Sequence, residues 1–268
     1  MPLAVPNFAE FQAPQQWDTV DFISDLHLCE SEPATFDAWQ RYMYSTTADA
    51  VFILGDLFEV WVGDDSIRAD LLLQSSDKPE NLNFEERCTL VLQAAGKRLH
   101  LFFIHGNRDF LVGQQMMAAC NASLLTDPTV LTFQQQRYLL THGDMLCLED
   151  TQYLAFRKVV RQPVWQQAQL AKPLAERQAI GRQMRAESQK NQQNLLEYAD
   201  VDDAAALAWL HATNAKTMIH GHTHKPANHN LGNDFERIVM TDWDLKATPN
   251  RAEVLQLSAN GLQRIQLN

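Results

Sequence analysis

The chain has 268 residues, of which 46% are apolar and 21% charged, and it contains only 10 Gly and 10 Pro. This size and composition exclude a disulfide-stapled miniprotein, a collagen-like chain and a low-complexity polymer, and no apolar run approaches the ~18 residues of a membrane-spanning helix. The net charge of −11 argues against a molecule that wraps nucleic acid with its whole surface.

Residues 1–17 contain early prolines and no basic segment before an apolar block, so they do not resemble a secretory signal. We expect them to form a loose N-terminal extension that precedes the fold. The four cysteines, Cys29, Cys88, Cys120 and Cys147, match no CxxC spacing. A reducing, cytoplasmic location is therefore expected.

Short apolar runs rich in Val, Ile and Phe alternate with helical patterns, and this alternation predicts an α/β fold with crossover helices. The predicted strands are Val20–Ser24, Val51–Leu54, Leu99–Ile104, Tyr138–Thr141, Thr217–Ile219, Glu236–Met240, Ala252–Leu257 and Leu262–Leu267. Phe84–Arg98 has helical periodicity, and Pro33 is suited to the first turn of a helix.

The segment from 151 to about 213 differs from the rest because it is helical in pattern, rich in glutamine and interrupted by prolines. Eight basic and two acidic residues between Thr151 and Gln192 give that part a net charge of +6, whereas the remaining chain carries −17. We expect a helical lid inserted at about 151–213 within a domain of residues 18–268. The alternative is a solvated helical subdomain with an ordinary core stripe.

Five short polar clusters follow apolar runs, where ligand-binding loops gather in an open α/β sheet. They are Asp25-Leu26-His27, Gly55-Asp56, Gly106-Asn107-Arg108-Asp109, His142-Gly143-Asp144 and His220-Gly221-His222-Thr223-His224. A single DxH or HxH pair is weak evidence, because His and Asp often cap loops. Five clusters of oxygen and nitrogen donors at strand ends instead predict a metal centre.

Asp25 and His27 are two residues apart, so in extended backbone they face the same side and can bind one cation. His222 and His224 repeat this spacing, as do His220 and His222, so spacing alone leaves open which pair binds metal. Seven donors exceed what one four- or six-coordinate ion needs. The set therefore favours two divalent cations that share a carboxylate.

In their order, the clusters resemble the signature of the calcineurin-like metallophosphoesterases, DxH, GD, GN[HR][DE], H and GHxH. The resemblance covers about residues 19–245 and implies a four-layer α/β/β/α sandwich. It implies two metal sites, formed by Asp25, His27 and His224 and by Asn107, His142 and His222, with Asp56 as the bridge. The GHxH pattern leaves His220 as a supporting or packing residue. The family's usual metal is Mn²⁺, and the donors are also compatible with Zn²⁺ or Fe²⁺.

The residue after Asn107 is informative, because many members of this family carry there a histidine that can protonate an alkoxide leaving group. Arg108 cannot do so, since the pKa of a guanidinium lies above ~12, but it can bind phosphate oxygens. A phosphate monoester, with a second pKa of about 6, leaves without an acid. The site therefore favours a pyrophosphate bond, unless Arg108 only pairs with Asp109 at a turn.

Within the family, the stretches FISDLHLCESEP, ILGDLFEVWVGDD, FIHGNRDFLVG, THGDMLCLED and IHGHTHKPA resemble the pyrophosphatases of lipid A biosynthesis. This implies a UDP-diacylated glucosamine substrate, attack by water on its α-phosphorus, and work at the cytoplasmic face of the inner membrane. The basic, amphipathic lid suits acyl chains, phosphates and an anionic membrane surface. We expect neither nucleic acid nor an obligate protein partner.

The resemblance implies functional residues beyond the metal ligands. The expected catalytic residues are Asp56, Asn107, Arg108 and His222, and the expected substrate contacts are Asn107, Arg108, Asp150, Ser188, Asn191 and His222. The chain departs from the pattern in the lid, because Asn194 stands where the family usually has a lysine. Lys190 is the candidate replacement.

Two other functions are compatible with parts of the pattern. The first is a general dinuclear-metal phosphodiesterase for nucleotides or nucleic acid, in which the basic segment binds phosphates. The segment has few aromatic residues for base stacking, which ranks this second. The other is a membrane-surface binding module with a structural metal, although structural sites are usually closed by four ligands that include Cys.

Overall fold

The structure is a computed structural model that describes residues 5–72, 81–194 and 199–267, with the side chains of residues 186–194 outside the description. Its strands form two six-stranded sheets. The first sheet has the order β12-β11-β2-β3-β4-β5. Its strands are β2 (Thr19–Ile23), β3 (Ala50–Ile53), β4 (His100–Ile104), β5 (Ala122–Leu125), β11 (Glu253–Ser258) and β12 (Gly261–Gln266).

The second sheet has the order β1-β6-β7-β8-β10-β9. Its strands are β1 (Ala9–Gln12), β6 (Thr129–Phe133), β7 (Gln136–Leu140), β8 (Thr217–His220), β9 (Ala227–Gly232) and β10 (Phe235–Val239). All eight predicted strands are confirmed to within two residues at each end. Strands β1, β5, β6 and β9 were not predicted.

The described residues form eight α-helices, some of which cover the outer faces of the two sheets. They are α1 (Pro33–Ser45), α2 (Ala69–Leu72), α3 (Phe84–Gly96), α4 (Gln114–Ala119), α5 (Thr151–Val160), α6 (Pro163–Leu170), α7 (Leu174–Asn194) and α8 (Asp203–Thr213). Pro33 stands in the first turn of α1, as predicted. Helix α3 begins with a capping box, in which Asn83 and Glu86 each bind the other's backbone N–H.

Three apolar clusters separate four layers. One lies between the first sheet and α1–α4, a second lies between the two sheets, and a third joins the second sheet to α8. In the middle cluster, Phe52 of the first sheet and Leu140 of the second are both fully buried. The chain is therefore the predicted four-layer α/β/β/α sandwich.

The expectation of a loose segment up to residue 17 is wrong for its second half. Strand β1 pairs in parallel with β6, and the side chains of Ala13 and Trp17 are buried between the sheets. Four residues beside prolines are too short a pattern to identify as a strand, yet Phe11 contributes a ring 4.6 Å from that of Phe102. Residues 1–4 lie outside the described part of the chain.

The predicted lid extends too far at its C-terminal end. Helix α8 packs Ala206, Trp209 and Leu210 into the cluster under the second sheet, so it is part of the sandwich. Helices α5–α7, called here the outer helices, lie before it. The chain leaves and re-enters the sandwich at neighbouring points, since the N–H of Asp202 donates to the C=O of Leu146 at 2.9 Å.

Strand register brings the polar clusters to one edge. Ile23 pairs with Ile53 in parallel strands, and Ile53 pairs with Phe103, so β2, β3 and β4 end together. In the second sheet, Leu140 of β7 pairs in parallel with Ile219 of β8. The residues that follow these ends therefore meet between the two sheets. Among the described residues, no helix combines the length and apolarity that crossing a membrane requires.

Candidate metal centre

The loops that follow the strands hold several of their polar residues in left-handed backbone. Asp25, His27, Asp56, His222 and His224 have φ between 49° and 70°. This conformation is uncommon for residues other than glycine, and it clusters at functional sites. Asp25 and His27 therefore converge through tight left-handed turns, and the expectation of extended backbone between them is wrong.

One group of donors comprises Asp25, His27 and His224, whose ligand atoms all lie within 4.8 Å of one another. The Nε2 atoms of the two histidines are 3.1 Å apart, and Nε2 of His224 is 3.4 Å from Oδ1 of Asp25. Oδ1 of Asp25 is buried without a hydrogen-bond partner. A cation between these atoms would give that oxygen the partner it lacks, so the donors fit a metal ion.

The second group comprises Asn107, His142 and His222. The side-chain amide of Asn107 lies 3.0 Å from Nε2 of His142 and 2.9 Å from Nδ1 of His222. Nδ1 of His142 lies 2.9 Å from the carbonyl oxygen of Leu54, to which it can donate, and this puts the lone pair on Nε2, the atom that a metal would bind.

Asp56 lies between the groups. Its Oδ2 is 3.7 Å from Nε2 of His142, and Asp25, Asp56 and His142 form another set of donors within 4.8 Å. Oδ1 of Asp56 accepts the backbone N–H of Arg108 at 2.8 Å. A Cβ at Gly106 would come within 2.1 Å of Oδ1 of Asp56, so only glycine fits there. The seven predicted ligands are thus one contiguous cluster.

Electrostatics of the cluster favour cation binding. Burial by itself raises the pKa of Asp25, but the adjacent side chain of His224 and the charges of His224, His142 and His27 hold it well below its usual range. Burial lowers the pKa of His142, but the charges of Asp56 and Asp25 outweigh burial and raise it to about 9. The site therefore presents concentrated negative charge to a cation.

The histidines nearer the opening have the opposite shift. Burial lowers the pKa of His27 to about 4, despite the attraction of Asp56. Burial, together with the charge of His142, lowers the pKa of His222 to about 4. Both rings are therefore neutral at pH 7, which is the form that ligates a metal, whereas a cation would have to displace the proton of His142. The donors are all nitrogen or oxygen atoms, with no cysteine sulfur, and such a set suits Mn²⁺, Zn²⁺ or Fe²⁺.

A cavity of about 610 Å³ opens from the cluster and runs under the outer helices. Asn107, Arg108 and His222 line one end of it, and Asp150 lines the wall. Its apolar lining includes Trp61, Val62, Phe110, Leu111, Tyr153, Phe156, Trp165, Ile180 and Met184. The predicted contacts Ser188 and Asn191, like Lys190 and Asn194, have side chains outside the described part of the structure.

Arg108 and Asp109 point to different places. The carboxylate of Asp109 is buried and accepts the N–H groups of Gly106 and Leu57, each at 2.8 Å. Arg108 lines the cavity instead. Asp150 has a structural task as well, because its side chain caps α5 by accepting the N–H of Tyr153 at 2.9 Å.

A buried polar network fixes the first outer helix. Asp144, two residues after His142, accepts the hydroxyl of Tyr153 and Nε of Arg157, the latter at 2.7 Å. Arg157 also lies 3.4 Å from Asp127. The ring of Tyr153 is 5.9 Å from that of His222, so the network places α5 directly against the cluster.

Sequence reasoning missed several supporting residues. Asp144 was noted only as part of a cluster, while Tyr153, Arg157, Glu59 and Asp242 had no predicted role at the site. Nδ1 of His27 lies 3.2 Å from Oε2 of Glu59, and Nδ1 of His224 lies 3.8 Å from Oδ2 of Asp242. The sequence does show an acidic residue, Glu59, shortly after Asp56. Acidic residues are so common, however, that this spacing alone does not assign Glu59 to the site.

His220 lies inside the second sheet rather than in the cluster. It is fully buried, and its Nε2 is 3.3 Å from Nη1 of Arg237. Burial, with a smaller contribution from the charge of Arg237, lowers its pKa to about 3.

Comparison with known proteins gives one family. Residues 19–226 match the calcineurin-like phosphoesterases. A UDP-2,3-diacylglucosamine hydrolase of Chromobacterium violaceum is 42% identical over 233 residues, which are 84% of this chain and 90% of that protein. A UDP-2,3-diacylglucosamine hydrolase of Bordetella pertussis is 40% identical over 247 residues, which are 90% of this chain and 92% of that protein. A third relative of the same name, from Sodalis glossinidius, is 36% identical over 245 residues, which are 90% of this chain and 95% of that protein.

Proposed function

Because this chain belongs to the calcineurin-like phosphoesterase family, we propose that it is a metal-dependent hydrolase that cleaves the pyrophosphate bond of UDP-2,3-diacylglucosamine. The products are UMP and 2,3-diacylglucosamine 1-phosphate, in lipid A biosynthesis. The relatives named UDP-2,3-diacylglucosamine hydrolase support this substrate. They favour neither a general nucleotide phosphodiesterase nor a membrane-binding module.

One observation carries the proposal: a single cavity joins a cluster of metal donors to a long apolar wall. A diacylated sugar nucleotide needs both, because its pyrophosphate is anionic and its acyl chains are hydrocarbon. A volume of about 610 Å³ is within the range usual for small-molecule binding sites.

The chemistry follows from the residues that line the polar end. Two divalent cations, which we propose to be Mn²⁺, supply Lewis acidity that makes water nucleophilic near neutral pH and offsets charge on phosphoryl oxygens. Asp25, His27 and His224 would hold one ion and Asn107, His142 and His222 the other, and Asp56 lies between the two groups of donors. All seven are nitrogen or oxygen donors from rigid strand ends.

Arg108 binds the phosphate oxygens at the mouth of the cluster. Its guanidinium can bind two phosphate oxygens at once and stabilise developing negative charge, and it supplies no acid for the departing sugar phosphate. That phosphate is a weak base, which suits attack at the α-phosphorus. Asp150, Ser188 and Asn191 are the proposed contacts to the sugar or nucleotide.

Helices α5–α7 act in this proposal as a lid that receives the acyl chains. Their outer side carries exposed apolar residues, with Val159 exposed to 53% and Val164 to 77%, beside the basic residues of this segment. Apolar and basic groups together suit an anionic membrane surface at the inner membrane. Sedimentation with vesicles containing anionic lipid tests this, and replacing both valines with Ser should release the protein.

Hydrolysis of UDP-2,3-diacylglucosamine in ¹⁸O water, read by mass spectrometry, tests the reaction. Label in UMP supports attack on the α-phosphorus, whereas label only in the sugar phosphate contradicts it. Activity of metal-stripped protein restored by each cation separately identifies the metal. A preference for cyclic dinucleotides or single-stranded nucleic acid over the diacylated substrate would overturn the substrate assignment.

A further inference from the structure

Glu59 lies between the metal cluster and the outer helices. We propose that it is a positioning residue that couples cation binding at His27 to the docking of helix α7. The proposal rests on the proposed metal centre, and it is independent of the substrate.

The first half of the argument is the contact with His27. Nε2 of His27 faces His224 and Asp25, while its Nδ1 lies 3.2 Å from Oε2 of Glu59; both of these atoms are buried, and neither has another hydrogen-bond partner, so a small rotation of the carboxylate completes the bond between them. A carboxylate on one nitrogen of a histidine fixes the tautomer with N–H on that side and orients the other nitrogen toward a metal. Glu59 therefore sets the direction of the Nε2 lone pair.

The second half is the contact with α7. Oε1 of Glu59 forms an ion pair with Nε of Arg185, in the fourth turn of that helix. The side chains of Glu59, His27 and Arg185 are only 16%, 19% and 25% exposed, so water screens these pairs weakly. One carboxylate thus serves two partners, one in each region.

The position of Arg185 is set by the rest of α7. Arg177, Gly181 and Arg185 are spaced by four residues and lie on one face of the helix. Nη1 of Arg177 is 2.8 Å from Oδ1 of Asp65, and a Cβ at Gly181 would lie 2.8 Å from Val60. This face contacts the segment 59–65, which starts at Glu59. The backbone of Glu59 is in turn held by Leu28, whose C=O accepts its N–H at 3.2 Å.

The coupling has a definite sign. A cation bound at His27 and the guanidinium of Arg185 are both attracted to the carboxylate between them, so each stabilises the arrangement that the other needs. Without that carboxylate the two positive charges repel each other. Because coupling free energy is reciprocal, cation binding should tighten α7, and loosening α7 at Arg185 should weaken cation binding.

The test follows hydrogen exchange of residues 174–185 in metal-free and Mn²⁺-saturated full-length protein, together with Mn²⁺ affinity by calorimetry. In the wild type, Mn²⁺ should slow exchange near Arg185 by about five- to tenfold. Glu59→Gln keeps the shape and should abolish that response while weakening Mn²⁺ binding by about 10- to 100-fold. Arg185→Met should weaken Mn²⁺ binding by about fivefold.

Asp65→Asn is the matched control, since Asp65 holds α7 through Arg177 and does not contact His27. It should speed exchange in both states and leave the Mn²⁺ response intact. Glu59→Asp, which keeps the charge, should retain part of the response. An unchanged Mn²⁺ response in Glu59→Gln, or a Mn²⁺ affinity within twofold of wild type, would overturn the proposal. No measurement uses substrate, so a wrong substrate assignment leaves the outcome unaffected.

Discussion

The strand-end loops and the outer helices meet at one cavity, yet different interactions hold them. Asp25, Asp56 and His142 are at most 2% exposed, and the loops that carry them are tied by backbone hydrogen bonds between strands. The outer helices bury few side chains between residues 151 and 185, chiefly Val160, Gln169 and Arg177. Polar pairs such as Arg157–Asp144 and Arg177–Asp65 attach them.

This difference separates two tasks. The sandwich holds the reacting groups in a fixed geometry, as catalysis requires, because its loops cannot move without breaking the sheets. The outer helices shape the apolar wall, and they can shift when individual ion pairs break. Changes in the loops should therefore abolish the reaction, whereas changes in the helices should alter which substrates react.

The largest effect is expected at the loops. Asp56→Ala removes the carboxylate between the two donor groups, and hydrolysis of every phosphoester should fall by about a thousandfold or more. Steady-state rates with UDP-2,3-diacylglucosamine and with a small chromogenic phosphodiester measure this. Asp18→Ala, at an exposed carboxylate, is the control. Equal rates in Asp56→Ala and wild type would exclude Asp56 from the chemistry.

Arg157→Met should produce the largest effect among the helices. It leaves the buried carboxylate of Asp144 without its cation, which typically costs about 3–5 kcal/mol in unfolding free energy. Denaturant unfolding measures the loss, and kcat/KM should fall more for the diacylated substrate than for the small phosphodiester. Lys158→Met, on an exposed neighbouring position, should change little. If adding Asp144→Asn to Arg157→Met restores no stability, the unpaired charge is not the cause.

A smaller effect is expected where α7 meets the segment 59–65. The new Cβ in Gly181→Ala would lie 2.8 Å from Val60 and push the helix outward. Overpacking costs about 1–3 kcal/mol, partly offset by about 1 kcal/mol of helix propensity. KM for the diacylated substrate should therefore rise by about fivefold, with little change for the small phosphodiester. Adding Val60→Ala makes room and should reverse the rise.

The smallest effect tests the sandwich far from the cavity, at Tyr42. Burial, with the charge of Asp21, raises the pKa of Tyr42 well above its usual value, and its hydroxyl donates to Asp21 at 2.8 Å. Above pH ~10 the unfolded tyrosine loses its proton first, so the native state binds more protons and stability falls as pH rises.

Urea unfolding at pH 9 and pH 10.5 measures this loss. Tyr42→Phe should cost about 1 kcal/mol at pH 7, because Asp21 keeps its bonds to Thr46 and Gln256. The variant should also lose less stability than the wild type between the two alkaline pH values. Equal losses in both proteins would show that Tyr42 does not titrate differently in the two states.

The sequence predicts the central strands because runs such as Val51–Leu54 are apolar throughout, as strands buried on both faces must be. It does not predict β9, whose residues alternate between half-buried and exposed, or β1, which pairs with a strand more than 110 residues away. Such strands are stabilised by packing against strands that are distant in the sequence, and the local residue pattern carries no information about them.

The metal donors could be predicted because they follow recognisable strands in short clusters. The pairs that support them could not, since Glu59 meets His27 and Arg185 from distant parts of the chain. The backbone of Asp25 and His27 shows the same limit. The prediction places both side chains on one side of an extended strand, whereas in the structure left-handed turns bring them together.

The hydrogen bond from Asp202 to Leu146 has an architectural consequence. It closes the stretch between them into a side branch whose entrance and exit adjoin. A branch rooted in this way can vary in length or sequence while the strands keep their register, as long as a cation still meets the buried carboxylate of Asp144. Substrate preference can thus change at one stem, but the replacement must also supply the few polar partners on which the hydrolytic loops depend.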